Sequence, residues 1–320
     1  MRKKKVLVVG GTGYLGQHLL SGLSEIDGVP YDIAFTYHSF APEDLLGALP
    51  HLLAFQVDLK SGQGFDTVAE NFGQPDIVVN CAAISVPRAC EIDPVSAFSV
   101  NVPTALGTWL LSFEGRNTLF IHLSTDQVYE GVKSFYNEEN ETIPVNVYGK
   151  SKLAAEQYVS EKFSNFAILR SSIIFGPQTI SPVPKSLPVQ WIDATLSEGR
   201  EVEFFHDEFR CPVYVKDVVN VIITLIKTWI SEGKQMQLLL NVGGPNRVSR
   251  VEMAETVAEI RGHKKSLIKR VSASSETDKI YSGLFGDIVQ NENLESQWVL
   301  VIRWQKDQRP GAQYKKWSCK

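Results

Sequence analysis

"KVLVVGGTGYLG", Lys5 to Gly16, is the stretch that decides the fold. Val6 to Val9 make an apolar run too short for a membrane signal and of the right length for a strand buried on both faces. Gly10, Gly13 and Gly16 follow in G-x-x-G-x-x-G spacing, and a helical pattern runs from Tyr14 to Leu23. Glycine at such a strand-to-helix turn permits positive φ, lets the backbone approach a pyrophosphate and lets helix meet strand. The free N–H groups of the helix N-terminus favour phosphate. A tight turn that merely needs glycines is the plainer reading, but the strand before and the helix after favour a dinucleotide turn lined by Gly10, Thr12, Gly13, Tyr14, Leu15 and Gly16.

Outward from that turn, short apolar runs alternate with helical patterns: "YDIAFTY", "LLAFQVDL", "DIVVNCAA", "LFIHLST" and "FAILRSSIIFG", separated by Phe65–Asn71, Val95–Leu111 and Tyr148–Phe163. Runs apolar on both faces and joined by helices predict an α/β fold, a doubly wound parallel Rossmann-type sheet. The first domain is expected over residues 1–176. The Pro-rich "PQTISPVPKSLP" then marks a boundary, and a smaller C-terminal α+β lobe is expected over 177–271. Its elements are a helix near Val189–Ser197, a strand "EVEFF", a helix after Val215, a strand "LLLNVG" and a helix Arg250–Arg261 ended by Gly262. Residues 272–320 form an atypical tail, with a strand-like "WVLVIRW" and no amphipathic helix with clear caps.

The 320 residues are ordinary for a soluble protein, 43% hydrophobic and 21% charged, and a net charge of -4 argues against nucleic acid as a partner. The apolar "VYVKDVVNVIITLIKTWI" carries Lys216, Asp217, Asn220 and Lys227, so it reads as a partly buried helix and no membrane span is expected. Cys81, Cys90, Cys211 and Cys319 form no C-x-x-C pair, which predicts neither zinc nor disulfides and suits a cytoplasmic location. "HDEF", His206 to Phe209, reads as solvated, so no metal is predicted. Trp191 and Trp229 read as core of the second lobe.

About 20 residues beyond the glycines, where an acid would hold the ribose of NAD, stand Thr36, Tyr37, His38 and Ser39. With no carboxylate to repel a 2'-phosphate, the expected cofactor is NADP(H), assisted by His38, with NAD(H) the alternative. Asp58 and Leu59 end the third run, where Asp58 meets the adenine edge or else holds a turn.

"HLSTDQVYEG" puts Ser124, Thr125 and Asp126 at the carboxyl end of the fifth strand, where open α/β sheets bind ligands. "NVYGKSKLAAE" opens the next helix with Tyr148 and Lys152 a turn apart. Lys152 is expected to lower the pKa of Tyr148, so that Tyr148 exchanges a proton with a carbonyl oxygen that Thr125 also binds. His122 reads as a packed strand residue. Arg170 is expected to meet a substrate phosphate or a neighbouring carboxylate.

From Lys4 to Gly262 these motifs resemble the extended short-chain dehydrogenase/reductases. "LSTDQVYEG", "NVYGKSKLAAE" and "LRSSIIFG" are similar to two sister groups, the NADPH-dependent dTDP-4-dehydrorhamnose reductases and the regulatory beta subunit of methionine adenosyltransferase. The resemblance implies Thr125, Tyr148 and Lys152 as the catalytic set with Asp126 beside them, and Asn80, Ala82, Ala83 and Asn101 along the cofactor cleft. It implies reduction of a keto group on a nucleotide-sugar-like small molecule, with Arg170 and Arg210 as substrate or partner contacts. Ile173 stands where the sugar reductases usually carry tryptophan, and "RCPVYVKDV", Arg210 to Val218, looks like the regulatory subunit. The alternative is therefore a non-catalytic subunit whose partner is the methionine adenosyltransferase catalytic subunit; a homodimer is also compatible. The final helix usual in both groups is missing after Val271, which predicts a C-terminus produced by an alternative or aberrant reading of the message.

Overall fold

The computed structural model describes residues 2–26, 31–115, 117–183 and 187–273. The tail from residue 274 onwards, with its "WVLVIRW" run, lies outside the described residues. The chain begins with β1 (Lys4–Val9), α1 (Tyr14–Ser24), β2 (Tyr31–Tyr37), α2 (Glu43–Ala48), β3 (Leu53–Gln56), α3 (Phe65–Asn71) and β4 (Ile77–Asn80). It continues through α4 (Pro87–Ile92), α5 (Pro94–Asn101), α6 (Thr104–Leu111), β5 (Leu119–Thr125), α7 (Val147–Lys162), β6 (Phe166–Ser171) and β7 (Ile174–Phe175). Then come α8 (Pro188–Ser197), β8 (Val202–Phe205), β9 (Phe209–Arg210), β10 (Val213–Tyr214) and α9 (Val215–Glu232). Last are β11 (Gln237–Val242), β12 (Val248–Ser249), α10 (Arg250–Arg261) and β13 (Ile268–Val271).

The main sheet has seven strands in the order β11-β6-β5-β4-β1-β2-β3, every pair parallel. The pleat of β1 explains why it sits centrally. Val6 and Val8 face one core layer with Leu19, Leu23 and Ile222, while Leu7 and Val9 face the other with Val68, Leu106 and Val159. All four β1 side chains are fully buried, each worth roughly 1.5–3 kcal/mol of transfer free energy. Helices thus cover both faces, as a doubly wound sheet requires.

The helix after Val215 and the strand at 237–242, expected in the small lobe, belong to this main body. β11 pairs with β6 over Gln237–Val242, and α9 lies so close to α1 that a Cβ on Gly22 would stand 2.8 Å from Val219. Trp229 accordingly lies in the main core, its indole N–H directed to Asn165. The Pro-rich stretch marks an excursion of the chain rather than its final departure.

What remains is a compact satellite. α8 packs on α10, β13 pairs with β8, and Trp191, Leu196, Phe204, Met253 and Val257 share its core. α10 starts on a capping box, Ser249 accepting from the Glu252 N–H and Glu252 accepting from the Ser249 N–H, and ends at Gly262 with φ 75°. Among the described residues no helix is long and apolar enough to cross a membrane, and no His/Cys/Asp/Glu group is arranged to hold a metal ion.

Candidate functional site

The glycine turn opens at the carboxyl edge of β1, between β2 and β4. The Gly10 and Gly11 N–H groups donate to Thr36, and the Gly13 N–H donates to the Gly10 carbonyl at 3.1 Å. Gly10 has φ 78°, and a Cβ there would lie 2.9 Å from the Ala82 backbone; a Cβ on Gly16 would lie 2.3 Å from the Gly10 oxygen. Exposed Gly13 caps α1 with no side-chain bond, and the first turn carries no acid. The N–H groups that begin α1 are therefore open to an anion, and the turn fits the pyrophosphate of a dinucleotide. Thr12 uses its carbonyl to hold Gln17. Tyr14 and Leu15 offer the turn only their backbone: the Tyr14 hydroxyl donates to Pro177, its pKa raised by burial, and Leu15 enters the core.

His38 is exposed beyond β2, its Nδ1 3.0 Å from the Ser39 hydroxyl, and no carboxylate stands in Thr36–Ser39. Asp58 holds a turn. Its carboxylate accepts from the Lys60 N–H and the Ser61 hydroxyl, bonds that hold its pKa below the usual range. Leu59 packs with the layer around Trp109.

Asn80, at the end of β4, accepts from the Ala82 N–H and places its amide nitrogen 3.3 Å from His122 Nδ1. Ala82 and Ala83 follow, half-buried, with Ala82 closing on Gly10. Asn101 is fully buried and works as a clasp: its amide grips both the N–H and the carbonyl of Ile84 and donates to Ser151 on α7. It orients the cleft wall rather than facing the cleft.

Asn146 fixes where α7 starts. Its side chain accepts from the Gly149 N–H and donates to Gln127, which puts Tyr148 in the first turn beside the end of β5. The Tyr148 phenol lies beside Thr125 there. The expected lowering of its pKa by Lys152 does not occur. Burial raises it first, Asp126 adds to the rise, and Thr125 alone opposes them, so the phenol keeps its proton through the neutral range. Lys152 turns its amine to His122 Nε2 at 3.1 Å, because at this point of α7 the side chain faces β5. Burial lowers Lys152 to about 8, with Glu156 opposing. Asp126 is anchored by the Ser172 hydroxyl at 2.8 Å and by Arg210 at 4.0 Å.

Arg170 does not reach for a phosphate. It pairs with Glu156 on α7 through Nε at 3.0 Å and Nη2 at 2.7 Å, both groups almost wholly buried, and its Nη1 donates to Tyr129. Arg210 is partly exposed between Asp126 and Glu208, which also holds Arg250, so it ties the satellite to the β5 end of the cleft. Glu156, Ser172 and Asn80's partner His122 were not marked by any local pattern; only the burial of a polar side chain within an apolar strand, "LFIHLST", hinted at His122.

Known proteins bear on this geometry. The chain is 29% identical over 263 residues, 82% of each chain, to a probable low-salt glycan biosynthesis reductase Agl14 of Haloferax volcanii. It is 25% identical over 256 residues to methionine adenosyltransferase 2 subunit beta of Mus musculus, spanning 80% of this chain and 72% of that one. The fold is shared with the dTDP-4-dehydrorhamnose reductase of Bacillus anthracis in complex with NADP, at a TM-score of 0.67 and 23% identity over 86% of each chain. Residues 4–305 match the RmlD substrate binding domain, and with nearly the whole chain so matched the protein belongs to that family.

Proposed function

We propose that this protein is an NADP(H)-dependent reductase of the extended short-chain type, acting in the cytoplasm on a keto group of a nucleotide-sugar-like substrate. The observation that carries the reading is the buried Tyr148 phenol, set beside Thr125 at the carboxyl edge of the sheet, the edge at which the glycine turn opens. A dinucleotide held at the Gly10–Gly16 turn would supply hydride for the carbonyl carbon. Tyr148 gives its proton to the carbonyl oxygen, and the Thr125 hydroxyl steadies that oxygen as charge grows on it. A phenol holds its proton at neutral pH, as an acid must when substrate arrives. Thr36–Ser39, free of carboxylates, favours NADP(H) over NAD(H). The names of the glycan reductase and the dTDP-sugar reductase agree with a sugar substrate.

Incubating the purified chain with NADPH and dTDP-4-dehydrorhamnose tests the reading: cofactor oxidation is expected, and Tyr148→Phe should abolish it. Absence of oxidation, or unchanged oxidation in the variant, overturns it. A second reading is favoured by Ile173, which packs into the satellite core instead of presenting an aromatic ring to a sugar. On that reading the protein is a nucleotide-binding subunit for a methionine adenosyltransferase, as the mouse relative's name suggests, and the two should co-purify at micromolar concentration.

A further inference from the structure

Lys152 and His122 face each other at the interface of α7 and β5, 1% and 0% exposed. Four polar atoms form a line: Lys152 Nζ, 3.1 Å from His122 Nε2, and His122 Nδ1, 3.3 Å from the Asn80 amide nitrogen. The line ends in a fixed direction, because the Asn80 oxygen accepts from the Ala82 N–H at 3.2 Å. With its oxygen engaged, Asn80 presents an N–H to the ring. Nδ1 therefore accepts, and the imidazole proton sits on Nε2. Nε2–H then points at Lys152 Nζ, and an ammonium, which has donors only, gives it nothing to bond. A free amine does.

The opposite arrangement, an ammonium donating to Nε2 and the ring proton on Nδ1, sets two N–H groups against each other at Asn80. Turning the amide over to relieve this leaves the Ala82 N–H without its acceptor, a cost of about 1–3 kcal/mol for a buried donor. The surroundings agree with the neutral pair. Burial disfavours charge on both groups, and Lys152 further lowers the tendency of His122 to protonate. The other titratable groups that act on the amine are Glu156 on its own helix and Cys81 just after β4; both push towards the ammonium without overcoming burial.

We propose that Asn80 and His122 are positioning residues that hold Lys152 as a free amine bonded to β5, and that this amine takes up a proton when an anionic dinucleotide enters the cleft. The inference rests on the reductase reading for its use, since Lys152 stands one helical turn from the acid Tyr148 on α7. Its test is separate from activity. In a histidine-15N correlation spectrum of the free protein near pH 8.5, His122 should be the Nε2–H tautomer. Titration calorimetry with NADPH at pH 9, in buffers of differing ionisation heat, should show uptake on the order of 0.5–1 proton per NADPH, as expected of an amine with pKa about 8 that becomes an ammonium. Lys152→Met should remove the uptake, and His122→Phe should change it while NADPH still binds. An Nδ1–H tautomer, or uptake that survives Lys152→Met, overturns the inference. If NADPH does not bind, the reductase reading fails and the uptake half of the inference with it; the tautomer still decides the pairing. If turnover is normal and the tautomer is Nδ1–H, the inference fails alone.

Discussion

The glycine turn and the Tyr148–Lys152 helix lie at the same edge of one sheet and are built in opposite ways. The turn is made of backbone: φ 78° at Gly10 and uncapped N–H groups at α1, set by residues close in sequence, with the Ala82 backbone closing on Gly10 at 2.9 Å. The helix site is made of side chains drawn from far apart, Asn80 from β4, His122 and Thr125 from β5, and Tyr148, Lys152 and Glu156 from α7. Short-range geometry gives a motif that any chain can display. Long-range side-chain pairing gives a charge state that only the folded protein has.

That contrast predicts that the helix site breaks chemically before it breaks structurally. Tyr148→Phe should lower turnover by roughly 10²–10⁴ while leaving NADPH affinity within a few-fold, measured by initial rates and calorimetry. Behind the pair, Arg170→Met should cost about 3–5 kcal/mol in urea unfolding, because Glu156 is left buried without its partner, and Arg170→Met with Glu156→Leu should recover most of the loss. His122 gives a pH signature. Its pKa is far below normal in the fold, so the unfolded chain binds the extra proton and stability is lost as pH falls below about 6.5, by up to about 1.4 kcal/mol per unit. His122→Phe should flatten that slope between pH 6.5 and 5. At the turn, Gly10→Ala should cost about 1–3 kcal/mol in stability and weaken NADPH binding, since its φ and the Ala82 contact both oppose a Cβ. His38→Ala should have the smallest effect, a few-fold loss of preference for NADPH over NADH.

The same contrast explains what the sequence disclosed. The apolar run Val6 to Val9 and the helical pattern ended by Gly262 are local, and both are legible as a strand buried on both faces and as a helix over Arg250–Arg261. "LLLNVG" reads as a strand of the small lobe but belongs to the main sheet, because an apolar run reads alike in a satellite and at the sheet's edge; only pairing with β6 distinguishes them. The family match also runs past Gly262, where the resemblance in the motifs stops, to residue 305. In the site, the residue types were visible but their partners were not. Tyr148 and Lys152 suggested a mutual pair by spacing, and the fold instead gives Tyr148 to Thr125 and Lys152 to His122, thirty positions upstream. Arg170 likewise found its carboxylate, Glu156, across the sheet-to-helix interface.

Deuteride transfer tests the central claim most directly. NADPH labelled with deuterium at the transferring C4 position, incubated with dTDP-4-dehydrorhamnose and the protein, should deliver the label to the product carbon, seen as a one-unit mass increase, and Tyr148→Phe should suppress it. Unlabelled product, no product, or labelling as fast in the variant as in the wild type would contradict the account.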